Sequence, residues 1–183
     1  QPPKRLIQGM KETTELPGSD NRVLWVLGRS FLRQKVFELA EGLPESKRKS
    51  ALALLVRKWC PYESAGFAAH WVGRQATVYA WDATKAQSAI VDAGLSPRLC
   101  TIWPETFIRE PLADGFRLAA VTDGYEGQLW RQGLLVATRW WPERPNVREW
   151  IAFLRGAGAD LTDAAAVAPE PVETPLLSSP WTA

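Results

Sequence analysis

The chain has 183 residues, 46% of them apolar, and a formal net charge of +2. That length suits one domain with tails, and the apolar share is enough to fill a core. No run approaches the roughly 18–20 apolar residues that span a bilayer, Gln1–Lys11 lacks the apolar block of a secretory signal, and so small a net charge leaves a modest footprint for nucleic acid.

The charge is unevenly spread. Up to Tyr62 there are twelve bases against six acids, whereas the stretch after Arg155 has Asp160, Asp163, Glu170 and Glu173 and no base. Such polarity orients a molecule towards acidic partners or anionic lipid. Cys60 and Cys100 match no metal-ligand spacing or redox pair and read as free thiols. The one histidine, His70, falls in a strand-like run and cannot alone build a metal site or a triad. No metal ligand set is expected.

In chain order, residues 1–21 read as a flexible basic lead-in, with Pro17-Gly18 and no periodicity. Residues 22–27 form an apolar strand, Gly28-Arg29-Ser30 a turn, and residues 31–39 the second strand of a hairpin. A helix runs over 45–59, with Ala51, Leu52, Leu54, Leu55 and Trp59 giving its apolar face. Pro61 ends that helix. Residues 67–72 and 75–81 flank Gly73-Arg74 as a second hairpin. A helix over 83–93 is closed by Gly94, and a short strand over 98–103 is stopped by Pro104. Residues 107–115 are irregular with room for a short helix; 116–122 is a strand and Asp123-Gly124 opens a turn. Residues 128–131 and 134–140 form a hairpin across Gln132-Gly133, and Asn146 caps a last helix to about residue 154. Residues 159–183, acidic and rich in Ala and Pro, read as a linker. The mixture is α/β or α+β with a mixed sheet, not an alternating doubly wound fold.

This order and its punctuation resemble the cytoplasmic actin-like domain of type II secretion system protein L, related to the pilus assembly protein M family. The residues that carry the likeness are the strand-turn-strand stretch Val23–Pro44, the helix stop Trp59-Cys60-Pro61-Tyr62-Glu63, Ala93-Gly94-Leu95, Pro104-Glu105, and the pair over Phe116–Trp141. The resemblance implies ribonuclease-H-like or actin-like subdomains over residues 22–158. It implies a non-catalytic scaffold at the cytoplasmic face of the bacterial inner membrane, next to a membrane helix. Partners would be the N-terminal domain of the secretion or pilus ATPase, other inner-membrane platform proteins, and a second copy in a homodimer. Nucleic acid would not be a partner and no cofactor is implied.

The catalytic motifs tested are absent. There is no Walker A loop and no G-x-G-x-x-G, and no G-x-S-x-G elbow. A nucleotide-using relative needs glycine turns with nearby acids. Thr122–Gly127 lies where the second such turn belongs, without Asp-x-Gly spacing, and reads as a β-turn; a nucleotide-binding pilus-type protein stays open as an alternative. Ten tryptophans beside the bases leave a basic-aromatic nucleic-acid module as another. The candidate partner surface is Lys47, Arg48, Lys49, Arg57 and Lys58 on the basic helix, with a solvated helix face as the plain alternative. In the pair Trp140-Trp141 only one ring can face a core, which leaves the other for a partner. Trp181 is either membrane-proximal or packed back on the domain.

Overall fold

The computed structural model describes residues 4–8 (as backbone), 23–159, 169–177 and 179–182. Three small sheets meet at one junction. The first is parallel, with β2 (Val23–Leu27) between β1 (Lys4–Gln8) and β6 (Cys100–Pro104). The second is antiparallel, with β5 (Gln75–Asp82) between β3 (Arg33–Glu38) and β4 (Ala65–Val72). The third has β7 (Gly115–Val121), β8 (Gly124–Arg131) and β9 (Leu134–Trp141) as an antiparallel meander, with β10 (Val172–Glu173) parallel to β7 on its outer side. Helices α1 (Glu45–Trp59), α2 (Ala83–Asp92) and α3 (Val147–Gly156) complete the body.

The hairpin expected between residues 22–27 and 31–39 does not form. All five residues of β2 are buried, which suits a central parallel strand covered on both faces. Gly28 is extended at φ −61°, not in the left-handed region that two-residue hairpin loops use, and Arg29–Phe31 make a 3₁₀ corner. The corner sends β3 to a different sheet, where it pairs with β5. At the β8–β9 turn, by contrast, Gln132 and Gly133 take φ of 51° and 76°, the double left-handed signature of a tight hairpin.

The other expected elements form within a few residues of their predicted ends. Asn146 accepts from the Glu149 backbone N–H while Glu149 reaches back to the Asn146 N–H, a full capping box at the start of α3. On α1 the buried residues are Leu52 and Val56, with Leu55 and Trp59 packed beside them. Leu54, expected on that face, is 61% exposed instead.

Both tails depart from the expected picture where they are described. Lys4–Gln8 of the lead-in is a strand paired in parallel with β2; the rest of the lead-in lies outside the described residues. Residues 169–177 and 179–182 of the expected linker lie on the domain. Val172–Glu173 extend the third sheet, the Leu177 N–H donates to Ile108 O, and the Trp181 N–H donates to Phe107 O. Acidic, Pro-rich composition does not prevent docking when a few apolar residues have a prepared site.

Candidate docking surface and a closed corner at the sheet junction

Helix α1 places its bases by helical spacing. Lys47, Lys49, Arg57 and Lys58 are exposed, and Arg48 is half-buried with a hydrogen bond to Gly73 O at 3.3 Å. None of the five forms an ion pair among the described residues, whereas Arg74 on the β4–β5 turn pairs with Glu38 at 2.9 Å. Arg57 and Lys58 sit in the last turn, where cations are favoured by the helix dipole. Leu54 projects from the same helix, two turns after Lys47 and one turn before Lys58. A sixth base, not singled out in the sequence, lies alongside: Lys35 of β3 sits over the rings of Phe37 and Trp59 at 5.3 and 6.0 Å. Only the sheet pairing brings it to the end of α1.

The two other predicted contact sites lie elsewhere. Trp141 is buried at 5% exposure among Trp150 and Phe153, in the cluster formed with α3. Trp140 is half-buried on β9. The expectation that one ring faces the core therefore holds, but neither packs with α1, whose cluster contains Phe37, Ala76, Val78 and Ala80. Trp181 packs edge-on to His70, Phe107 and tilted to Trp130, with centroids at 4.6, 5.3 and 5.7 Å. Its indole N–H donates to Thr106 O at 3.2 Å. It belongs to the central cluster, so a membrane-facing Trp181 is corrected.

Asp123, in the candidate phosphate turn, reaches across to the corner after β2. The backbone N–H groups of Arg29 and Ser30 donate to Asp123 Oδ1 and Oδ2 at 3.2 and 2.8 Å. Gly28 permits this approach, since a Cβ there would stand 2.7 Å from Asp123 Oδ2. Adjacent backbone N–H groups of this kind form an anion-binding concavity. Here the anion is a side chain from another sheet.

Behind that contact lies a buried polar hub that the sequence reading missed. Glu126, wholly buried, accepts from Arg29 Nε at 2.6 Å, the Tyr79 hydroxyl at 2.8 Å, the Thr106 hydroxyl at 2.9 Å and Gln128 Nε2 at 2.8 Å. Arg29 also donates to Leu32 O and the Thr138 hydroxyl at 2.7 and 2.8 Å. Gln128 Oε1 accepts from Arg117 Nε at 2.7 Å and Trp130 Nε1 at 3.0 Å. Burial, with the Glu126 charge behind it, pushes the Tyr79 hydroxyl well above its ordinary range, so it stays a donor. Burial also raises the Glu105 carboxyl, against the pull of its ion pair with Arg109 and its bonds from Thr122. The sequence reading put Glu126 in the turn before a strand over 128–131 and Arg29 in a hairpin turn, whereas Glu126 lies within β8 and Arg29 in a buried corner. Only the three-dimensional crossing makes them a pair.

Two hollows flank the junction. One of 170 Å³ is lined by Ser30, Phe31, Tyr62, Trp81, Asp82 and Lys85. The other, 400 Å³ at the ends of β7 and β10, is lined by Thr122, Glu173, Thr174 and Arg109 among others. Arg109 is already engaged by Glu105 and by Thr174 O. No cluster of metal-binding side chains occurs among the described residues, and no described helix is long and apolar enough to cross a membrane.

The described residues form a mixed α/β body of three sheets and three α-helices. It is similar to the cytoplasmic domain of EpsL, an inner-membrane component of the type II secretion system of Vibrio cholerae, with a TM-score of 0.51 at 14% identity, over 88% of this chain and 68% of that one. Other similar structures are the PilM–PilN type IV pilus biogenesis complex (TM-score 0.46, 17% identity, 78% of this chain and 49% of that one) and a Bacteroides thetaiotaomicron protein of actin-like ATPase fold and unknown function (TM-score 0.41, 10% identity, 76% and 56%). No family model and no curated protein sequence matches the chain.

Proposed function

We propose that this domain is a non-catalytic docking platform of a bacterial secretion or type IV pilus machine, at the cytoplasmic face of the inner membrane. It holds the N-terminal domain of the machine's ATPase through the basic face of α1. The observation that carries this reading is the set of five α1 bases without an ion pair among the described residues, three of which, Lys47, Arg57 and Lys58, share a side of the helix with the exposed Leu54. Unpaired charge around an apolar centre is the composition of a surface that meets an acidic partner. The likeness to the EpsL cytoplasmic domain supports the setting.

The Asp123 contact supports the non-catalytic part of the reading. The carboxylate of Asp123, the acid of the candidate turn, is engaged by the Arg29 and Ser30 amides, and the buried hub behind it pairs its groups within the chain. A nucleotide-binding reading draws on one observation, the 400 Å³ hollow beside Thr122, whose volume lies in the range of small-molecule sites.

The test is capture of the cognate ATPase by the tagged domain at low salt. Wild type is expected to retain it. Changing Lys47, Arg48 and Lys49 together to Glu is expected to abolish capture, and raising salt is expected to weaken it, because rim charges are screened. Capture that is indifferent to the triple reversal would remove α1 as the dock.

A further inference from the structure

The smaller hollow lies where the corner after β2 meets the start of α2, and three aromatic rings line it. Trp81 is buried and fixed against the neighbouring strand, where a Cβ at Gly66 would overlap its indole. Tyr62, just past α1, is half-buried. Phe31, at the corner, is 42% exposed. Among the described residues none of these three rings carries a Lys or Arg group over its face, whereas five other rings of the domain do.

One carboxylate, Asp82, lines the hollow with the rings. Its Oδ1 caps α2 by accepting from the Lys85 backbone N–H at 3.0 Å. Its Oδ2 meets the Lys85 ammonium only at 4.0 Å, and the Lys85 side chain is 84% exposed. So long and solvated a pair holds neither group firmly. Arg29, the other base of the corner, turns inward onto Glu126. The hollow therefore offers aromatic faces and a carboxylate oxygen, with no cation of the chain fixed against them.

We infer that this hollow receives an arginine side chain of a partner polypeptide, with the guanidinium against the rings and its N–H groups donating to Asp82. Charge, shape and size select that occupant. Aromatic faces attract cations, and a guanidinium both stacks on rings and donates in a fork to a carboxylate, which an ammonium does not. An anion would be drawn by the N-terminus of α2, but Asp82 already caps that end with its own negative charge. At 170 Å³ the hollow is close to the roughly 150 Å³ that holds one benzene and below the roughly 300–1,000 Å³ of small-molecule sites. It suits one side chain whose backbone stays outside. The site stands apart from the α1 dock, which uses other residues and takes the opposite charge.

An NMR titration of the purified domain tests it, with a short glycine peptide carrying one central arginine as the probe. The backbone amides of Ser30, Phe31, Asp82 and Lys85 are expected to shift saturably at millimolar peptide, while those of α3 stay in place. The same peptide with a central glutamate or alanine is expected to leave them unmoved, and one with lysine to bind more weakly. Asp82→Asn keeps the helix cap, since asparagine serves equally well there, and is expected to weaken binding about fivefold. Phe31→Ala, at an exposed ring, is expected to weaken it as well. Lys85→Ala removes the competing ammonium and is expected to tighten it. No saturable shift with the arginine peptide, equal binding of the alanine or lysine peptide, indifference to Asp82→Asn, or weaker binding with Lys85→Ala would each overturn the inference.

Discussion

Replacing Glu126 by alanine is expected to cost about 3–5 kcal/mol of folding stability, the range for breaking a buried ion pair by removing one partner. The cost comes from what is left behind. Arg29 stays as a buried charge, and the Tyr79 and Thr106 hydroxyls and the Gln128 amide each lose an acceptor. Equilibrium urea denaturation reads the loss as a lower midpoint. The double variant Arg29→Met/Glu126→Leu is expected to be less destabilised than the sum of the two single changes, since removing both charges leaves neither unpaired. A loss under about 1 kcal/mol for Glu126→Ala would mean that the hub does not brace the junction.

The second large effect is expected at the other end of the chain. Trp181→Ala is expected to destabilise by about 3 kcal/mol, at the lower end for aromatic truncation because the ring is only partly buried. The change empties a place bounded by His70, Phe107 and Trp130 and leaves Thr106 O without its indole donor. A tail that merely tethered the domain would tolerate the substitution, with surface changes within about 0.5 kcal/mol. The same urea experiment separates the two, and an unchanged midpoint would return residues 169–182 to the role of a linker.

Local signals carried much of this fold and little of its assembly. The helices were legible because their ends are written in short-range chemistry: Asn146 with Glu149, Gly94 after α2, Pro61 after α1. The β4–β5 and β8–β9 hairpins were legible from Gly73-Arg74 and Gln132-Gly133. The misassigned hairpin at Gly28 shows the limit. A Gly-Arg-Ser step between two β-rich runs is locally a turn, and which neighbour each strand then takes is decided by burial on both faces of β2. The bases of α1 could be read from helical spacing, but Lys35 joins them only through pairing of β3 with β5. Arg29 and Glu126 are 97 positions apart, and Trp181 and Thr106 are 75 apart. No composition or periodicity links residues at that distance. The tail misled for the opposite reason: its composition is that of a linker, yet pairing of β10 with β7, two further backbone bonds and one indole seat it.

The proposed function has the junction braced by the chain's own carboxylates rather than by a nucleotide, and that is the centre of this account. The most direct measurement is the melting temperature of the purified domain in Mg-ATP raised to millimolar concentration. A ligand that binds only the native state stabilises it by about 2.7 kcal/mol at a hundred times its dissociation constant, a shift of several degrees for a domain of this size. The account predicts a melting temperature unchanged across the titration. A saturable rise that needs both magnesium and nucleotide would contradict it, and would place a nucleotide at the junction that Asp123 closes here.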